Sequence, residues 1–413
     1  MKYFNEVIPL SLYVHIPWCV RKCPYCDFNS HESKNALPEA EYIECLLQEL
    51  ETKLPLTWGR RLISIFFGGG TPSLFSPSGI EKILAGIHRY FNFGNIEITL
   101  EANPGTVDES RFKDLRIAGI NRLSIGIQSL QDAKLKSLGR IHHAENALRA
   151  IECATEAGFQ NFNVDFMHGL PDQSLEDAMY DLTRALQYDP PHLSWYQLTI
   201  EPQTYFYKNP PTLPTDEILF EIQEKGKIKI ESGYLKQYEI SAFAKENHEC
   251  VHNKNYWEFG DYIGIGAGAH SKITDVSDGI VTRFANVKHP KEYLNPEKSF
   301  SENQNILTEN DLIFEFMMNA LRLTRGVSLR LFTARTGLSQ KVLEPMLSTA
   351  REKGLLMLDK DHLCATDLGQ RFLNDLIGIF FMPAKKSPPT RNARRPPFSK
   401  GVNISLTQKL PTI

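Results

Sequence analysis

The sequence has no apolar run near the length that a membrane helix requires. Of its 413 residues, 42% are hydrophobic and 23% charged, and no stretch approaches the roughly 18 consecutive apolar residues of a transmembrane segment. The amino terminus, MKYFNEVIPL, carries Glu6 where the apolar part of a signal peptide would lie. These absences argue against a membrane-spanning or exported protein and predict a cytoplasmic one.

Cysteine is scarce, with seven in the chain, and most are isolated from one another. In a cytoplasmic protein we expect reduced thiols that are available to metals rather than paired in disulfides. Four are interpreted as core or bystander side chains: Cys45, Cys153, Cys250 and Cys364. The other three, Cys19, Cys23 and Cys26, form the pattern C-x3-C-x2-C between a histidine and an aspartate, in HIPWCVRKCPYCDF.

Acidic residues are missing from the end of the chain, after residue 382. This end has seven basic residues, namely Lys385, Lys386, Arg391, Arg394, Arg395, Lys400 and Lys409. Because the whole chain carries −3 and this end carries +7, the first 382 residues carry −10. An acidic body argues against a nucleic-acid-binding protein. Residues 382–413 are also rich in proline and are predicted to be a disordered, solvated tail; contact with an anionic partner is the less favoured alternative.

Strand-like and helix-like segments alternate six times through the first 250 residues. The predicted strands are 11–16, 62–67, 96–101, 122–127, 161–166 and 192–200. Such repetition predicts a parallel sheet, and glycine, acidic or amide residues follow most of these strands at one end. Because active sites of barrel-like α/β proteins form at the carboxyl ends of strands, we expect one shared site. Residues 1–250 are therefore predicted to form a partial (β/α)6 barrel of the TIM type.

The pattern changes after about residue 305. Three helices at 309–323, 328–337 and 339–354, a hairpin at 355–366 and a last helix through Phe380 predict a smaller, winged-helix-like domain at 309–381. Residues 251–308 are then a connecting segment. DNA binding is often associated with this shape, but a fold does not determine a function, and we expect a structural or docking role.

The three clustered cysteines favour an iron–sulfur cluster over zinc. A structural zinc site uses four ligands, and although His15 or His31 could complete a Cys3His set, neither lies at the usual spacing. A 4Fe-4S cluster held by only three thiolates leaves one iron with an open coordination position, where chemistry can occur. The neighbouring Arg21 and Lys22 would offset the negative charge of the thiolates.

The C-x3-C-x2-C pattern after a first strand, with Tyr25 before the last cysteine, resembles the radical S-adenosylmethionine (SAM) superfamily. That resemblance implies an open iron that chelates the amino and carboxylate groups of SAM, and a cluster electron that cleaves SAM to a 5′-deoxyadenosyl radical. GGGTP, at 68–72, ends the second strand, where glycines allow the backbone to approach the methionyl part of SAM closely. A second glycine motif, Gly264-x-Gly266-x-Gly268, lacks the G-x-G-x-x-G spacing of a dinucleotide site, and we reject that function for it.

Six further motifs resemble the oxygen-independent coproporphyrinogen III oxidase family over roughly residues 8–381. They are LYVHIPWC, FFGGGTPS, TLEANP, SIGIQS, LGRIH and VDFMHGLP. The resemblance implies that the three cysteines are cluster ligands and that Tyr13 contacts SAM near the cluster. It also implies a SAM pocket lined by Gly69, Gly70, Thr71, Glu101, Gln128, Arg140 and Asp165. Glu101 and Asp165 suit the ammonium or ribose hydroxyls of SAM, and Arg140 suits a carboxylate, whereas either acid alone could equally be a helix cap or a surface charge.

Two features separate branches of that family. The oxidases resemble C-x3-C-x2-C-x-C, whereas this chain has Phe28 at the last position, and HNKNYW at 252–257 matches the H-N-x-x-Y-W motif of a haem chaperone branch. His252 could supply an axial ligand to haem, and Tyr256 and Trp257 could pack on the macrocycle. The alternative is a hydrogen-bonded histidine beside a core tryptophan.

We therefore predict a haem chaperone that binds a 4Fe-4S cluster, SAM and haem. Its predicted partners are haem and haem-accepting proteins such as respiratory enzymes, with transient contact to membrane proteins allowed and nucleic acid excluded. The alternative is a radical enzyme that oxidatively decarboxylates porphyrinogen propionates. A third hypothesis, a winged-helix regulator that senses iron through its cluster, predicts DNA affinity. No SAM cleavage is assigned, and the oligomeric state is left as monomer or dimer.

Overall fold

The computed structural model describes residue 4 and residues 6–57, 59–106 and 108–382, so the predicted tail lies outside the described residues except for Met382. Its main sheet has twelve strands within these ranges. They are β1 Leu10–Ile16, β2 Leu62–Gly69, β3 Glu97–Ala102, β4 Arg122–Gln128, β5 Asn161–His168, β6 His192–Gln197, β7 Lys236–Glu239, β8 Ala242–Ala244, β9 Asp261–Ile265, β10 His270–Asp275, β11 Ile280–Asn286 and β12 Ser301–Ile306. The order across the sheet is β12-β11-β10-β9-β1-β2-β3-β4-β5-β6-β8-β7.

Strands β1 to β6 are neighbours in chain order, and each pairs in parallel with the next. They are the six predicted strands, and their bounds differ from the prediction by three residues or fewer. Strand β1 is buried along its whole length, as expected for a parallel strand that is covered on both faces. The predicted α/β fold with a partial barrel is confirmed, and the sheet stays open in the described part of the chain, with β12 and β7 at its edges.

Within the described part of residues 39–293 there are ten helices, and most of them cover the parallel strands on the outside. They are α1 Glu39–Lys53, α2 Pro77–Tyr90, α3 Glu109–Ile117, α4 Asp132–Ser137, α5 Ala144–Glu156, α6 Leu175–Leu186, α7 Tyr205–Lys208, α8 Asp216–Glu231, α9 Val251–Trp257 and α10 Pro290–Tyr293. Local sequence determines where several of them begin. Ser174 accepts a hydrogen bond from the Asp177 amide while the Asp177 carboxylate accepts one from the Ser174 amide, which forms a capping box at the start of α6.

The segment 251–308, expected to connect two domains, extends the main sheet. Strand β9 pairs in parallel with β1, and β10, β11 and β12 follow as antiparallel strands. The glycine-rich segment between β9 and β10 and the fully exposed, polar β12 obscure this arrangement in the sequence. The division of the chain into domains stays a prediction.

The last part of the chain has the predicted helices and hairpin. Its elements are α11 Glu309–Ala320, β13 Val327–Ser328, α12 Leu329–Thr336, a 3-10 turn at Gln340–Leu343, α13 Glu344–Glu352, β14 Leu356–Asp359, β15 His362–Ala365, α14 Asp367–Arg371 and α15 Leu373–Ile379. Its core, which includes Phe316 and Phe332, is continuous with Tyr256 and Trp257 of α9. This module therefore packs directly against the last helix before β9. Among the described helices, none is long and apolar enough to cross a membrane.

Candidate functional site

The three clustered cysteines lie in a loop that leaves the carboxyl end of β1. Cys26 donates its amide proton to the carbonyl of Cys23 over 3.1 Å, and Cys19 belongs to a two-residue strand that pairs with His31–Glu32. The Lys22 ammonium donates to the carbonyls of Phe28, at 2.9 Å, and Ser30, at 3.1 Å. All three thiols line one cavity of about 480 Å³ at the carboxyl ends of the parallel strands.

Without a bound metal, burial makes two of the three thiols hold their protons more tightly than a free cysteine does. Burial raises the pKa of Cys19 to about 11, and burial likewise raises the pKa of Cys26. The Arg140 guanidinium donates to Cys23 Sγ at 3.7 Å, where it would help to stabilise a thiolate. In the described residues no three His, Cys, Asp or Glu side chains converge on one ion. In a 4Fe-4S cluster each thiolate binds a different iron, and three thiols that line one cavity fit that ligand set.

Apart from Tyr13, every residue predicted for the SAM pocket lines this cavity, namely Gly69, Gly70, Thr71, Glu101, Gln128, Arg140 and Asp165. Arg140 follows helix α4, and the others lie in or directly after β2 to β5. Glu101 Oε2 accepts a hydrogen bond from the Gly69 amide at 3.0 Å. Burial, followed by the charge of Asp165, raises the pKa of Glu101 to about 8. Glu101 and Asp165 are thus two buried carboxyl groups that a cationic ligand would stabilise in their ionised forms.

Asp165 and Gln128 are fixed by polar neighbours that the sequence did not single out. Asp165 accepts hydrogen bonds from Asn163 Nδ2, at 2.7 Å, and Ser124 Oγ, at 2.9 Å, although burial still raises its pKa. Gln128 has a φ of 71°, next to a register shift in the pairing of β4 with β5, and its Oε1 accepts from the Tyr196 hydroxyl at 2.9 Å. Left-handed backbone at a non-glycine residue costs energy and is typical of functional sites.

Tyr13 is the exception among the predicted SAM-pocket residues. It lines a separate, smaller cavity, of about 30 Å³, together with Phe28 and Gly69. Its hydroxyl lies 3.0 Å from His15 Nδ1, and His15 Nε2 lies 3.0 Å from the carbonyl oxygen of Asn29. Burial lowers the pKa of His15 to about 4, so the ring is neutral; Nε2 donates to the carbonyl and Nδ1 accepts from Tyr13. The predicted contact of Tyr13 with SAM stays a prediction.

The side chains of the H-N-x-x-Y-W motif lie on two different sides of helix α9, one facing the large cavity and one facing the protein core. Asn253 and Trp257 line the large cavity, whereas His252 is fully buried. His252 Nδ1 lies 2.9 Å from Ser64 Oγ, and Nε2 lies 3.1 Å from the Tyr256 hydroxyl. Burial lowers the pKa of His252 to about 3, so this ring is neutral. Both ring nitrogens of His252 are thus within hydrogen-bonding distance of protein groups. This is the geometry expected if His252 is a hydrogen-bonded core histidine and not a haem ligand.

The far wall of the cavity includes residues that the sequence did not reveal. The Arg322 guanidinium lies 4.2 Å from the centre of the Trp257 ring, and its Nη2 donates to Glu239 at 3.0 Å and to Ser241 at 3.3 Å. Arg322 follows α11, so the C-terminal module contributes to the cavity. His192 lines the interior as well. Inward-facing residues such as these alternate along strands or come from distant segments, and a search confined to strand ends does not find them.

The fold and the cysteine loop together define a radical SAM protein. The model of the Radical SAM superfamily matches residues 13–183, and the model of the HemN C-terminal domain matches residues 307–372. A 4Fe-4S cluster and SAM are the cofactors of that superfamily, as the sequence predicts.

The relatives narrow this class to one family. The chain is 48% identical to the heme chaperone HemW of Escherichia coli and 37% identical to that of Bacillus subtilis; each alignment covers 90% of this chain and 98% of the relative. The chain belongs to the HemW family. Among solved structures, the coproporphyrinogen III oxidase HemN of Escherichia coli matches with a TM-score of 0.77 and 23% identity, and the match covers 90% of each chain. That match extends the shared fold to the C-terminal module.

Proposed function

We propose that this chain is a haem chaperone that binds a 4Fe-4S cluster, SAM and haem and delivers haem to acceptor proteins. The similarity to chaperones of this name along nearly the whole chain carries the proposal. Haem-accepting proteins, including respiratory enzymes, are the proposed partners, and a cytoplasmic location stays a prediction.

In this proposal Cys19, Cys23 and Cys26 hold the cluster. When bound, the cluster supplies an open iron for the amino and carboxylate groups of SAM. Arg140 stands beside Cys23 and also donates to the Gly126 carbonyl at 2.6 Å. Each terminal nitrogen keeps a second N–H, and among the described residues Arg140 Nε has no hydrogen-bond partner. The proposed role of Arg140 is therefore to stabilise the negative charge of the thiolates and to bind the SAM carboxylate.

SAM would occupy the wall between the cysteines and the ends of β2 to β5. Gly69 and Gly70 bring backbone close to the ligand, and a side chain at Gly70 would meet the Trp18 carbonyl oxygen at 2.5 Å. Glu101 and Asp165 would accept hydrogen bonds from SAM and balance its positive charge. Gln128, held by Tyr196, would orient the ligand between them.

Haem would lie against the far wall of the cavity, where Trp257 and Asn253 face inward. Trp257 is 4% exposed, and among the described residues neither Trp257 Nε1 nor Asn253 Oδ1 has a hydrogen-bond partner. Buried polar atoms are normally satisfied, so these two favour a ligand at this wall. A flat aromatic ring also suits a macrocycle. The prediction that His252 is the axial ligand stays a prediction, and its two internal hydrogen bonds weigh against it.

Two alanine variants on α9 test this placement of haem. We expect Trp257→Ala to weaken haem binding about tenfold, or about 1.4 kcal/mol, because it removes the aromatic contact. We expect His252→Ala to leave haem affinity within about twofold and to lower the free energy of unfolding by about 1–3 kcal/mol, because it leaves the buried Tyr256 hydroxyl unpaired and Ser64 with only its hydrogen bond to Ser11. Haem titration followed by absorbance, together with urea unfolding, measures both. Loss of haem binding in His252→Ala alone would restore His252 as the ligand.

The alternative function, oxygen-independent coproporphyrinogen III oxidation, is favoured by the fold shared with HemN. Fold alone does not carry a function. Phe28 occupies the position where the resemblance to the oxidases has a fourth cysteine, and this favours the chaperone.

A further inference from the structure

The glycine motif rejected as a dinucleotide site, Gly264-x-Gly266-x-Gly268, lies against the cysteine loop. Gly266 has a φ of +106°, and a Cβ there would lie 2.4 Å from the carbonyl oxygen of His15. Gly268 has a φ of +78°, and a Cβ there would lie 2.2 Å from Asn29 Nδ2. Real Cβ atoms do not approach other atoms so closely, and both backbone conformations favour glycine. A side chain at Gly266 would collide with the backbone of the segment that carries the cysteines, and one at Gly268 would displace the Asn29 side chain.

The glycine motif contacts both ends of the cysteine loop. His15 lies four residues before Cys19, and Asn29 lies three residues after Cys26. Asn29 Nδ2 donates to the carbonyls of Ala267 and Lys288, both at 2.9 Å. The Asn29 carbonyl in turn accepts from the His15 ring, so the two ends of the loop are joined to each other as well as to the motif.

Helix α1 holds the motif from the opposite side through buried groups. Glu49 Oε2 accepts from the Gly266 amide at 2.8 Å, and Lys53 Nζ donates to the Gly264 carbonyl at 2.6 Å. Glu49 and Lys53 form an ion pair at 2.6 Å. The Tyr42 hydroxyl donates to the His15 carbonyl at 2.9 Å and accepts from the Ala267 amide at 2.8 Å. A buried and fully hydrogen-bonded network of this kind makes a backbone segment rigid.

We propose that Gly266, Gly268 and Asn29 are positioning residues that hold both ends of the cysteine loop at the separation in which three thiolates reach one cluster. The loop itself contains no regular helix and only the two-residue strand at Cys19, so its geometry depends on contacts from outside. The motif supplies them from residues more than 230 positions along the chain. The inference rests on the proposed cluster ligands and is independent of haem.

The test compares Gly268→Ala with Gly354→Ala. Gly354 has a φ of +68° in the C-terminal module, and a Cβ there would meet nothing within 4 Å. Both variants place alanine in left-handed backbone, so the difference between them reports the contact with Asn29. After identical reconstitution we expect Gly268→Ala to hold less than about half the wild-type iron and sulfide, and its reduced cluster to show a changed electron paramagnetic resonance spectrum with SAM. Gly354→Ala should match the wild type.

A second readout uses the chain without metal. Alkylation of Cys19, Cys23 and Cys26, followed by mass spectrometry and scaled to Cys45 in the same chain, reports how open the loop is. We expect alkylation of the three cysteines to be several-fold faster in Gly268→Ala and in Asn29→Ala than in the wild type. Asn29→Ala removes the contact with the motif without adding a clash, so it tests the proposal even if Gly268→Ala does not fold. Wild-type alkylation rates and iron content in Asn29→Ala would overturn the proposal. Absence of a cluster from the wild type would instead refute the cluster ligands, and the alkylation comparison would still test the role of the motif.

Discussion

Replacing Cys23 with alanine is expected to remove the iron–sulfur cluster from the purified chain. Three thiolates hold the proposed cluster, and Phe28 leaves the loop without a fourth that could take over. The iron content should fall from about four per chain in the reconstituted wild type to near zero, with loss of the brown colour. Iron and sulfide analysis after anaerobic reconstitution measures this.

Cys45→Ala is the matched control for Cys23→Ala. Cys45 is a half-buried thiol on α1 that does not line the cavity, so its loss should leave the iron content unchanged. Retention of at least half the iron in Cys23→Ala would refute the ligand assignment. A wild-type chain that binds one zinc and no sulfide would refute the cluster itself.

Replacing Glu101 with glutamine is expected to weaken SAM binding roughly 30-fold, which corresponds to the loss of one charge-assisted hydrogen bond worth about 2 kcal/mol. The substitution keeps the size of the side chain and removes its charge. Glu145→Gln, at an exposed position on α5, is the control and should bind SAM as the wild type does. Isothermal titration of the reconstituted proteins gives the affinities.

The difference in SAM affinity between the wild type and Glu101→Gln should depend on pH. The pKa of Glu101 is raised from its usual 4.5 to about 8 without a ligand, so the carboxylate fraction grows between pH 6.5 and 8.5. The ratio of wild-type to Glu101→Gln affinity should therefore rise across this range, and taking the ratio cancels the titration of SAM itself. A flat ratio would exclude Glu101 from the contact with SAM.

The contribution of Glu101 to folding stability should fall as the pH rises, whereas its contribution to SAM affinity should rise. Between pH 4.5 and about 8 the folded chain holds a proton on Glu101 that the unfolded chain has released. Stability from this group is therefore full at low pH and is lost as the pH rises through that window. Glu101→Gln should flatten this decline, which urea unfolding at several pH values would show.

The six parallel strands could be predicted because strands buried on both faces are nearly continuous apolar runs, such as LISIFF in β2. The extension of the sheet formed by β9 to β12 could not be predicted from the sequence. Strand β9 pairs with β1, which lies about 250 residues earlier in the chain, and no local pattern reports such a pairing. Strand β12, SENQNI, is exposed along its whole length and has a single apolar residue, Ile306, so it shows no apolar periodicity.

The part of the candidate site that is formed by the carboxyl ends of strands could be predicted from the sequence. Glu101, Gln128 and Asp165 gather at one cavity because parallel strands bring their carboxyl ends together. The orientation of α9 did not follow, because its seven residues carry polar and aromatic groups on both sides and only packing against Ser64 shows which side is buried. Arg322 and Trp257 meet through tertiary packing alone.

Transfer of haem to an acceptor tests the proposed function most directly. The reconstituted chain is loaded with haem, freed of excess, and mixed anaerobically with an apo-haemoprotein whose absorbance spectrum differs from that of the donor. We predict that the acceptor spectrum appears as the donor spectrum disappears, and that the chain does not convert coproporphyrinogen III when given SAM and a reductant. An acceptor that stays empty, together with turnover of coproporphyrinogen III to its divinyl product, would contradict the chaperone and establish the oxidase.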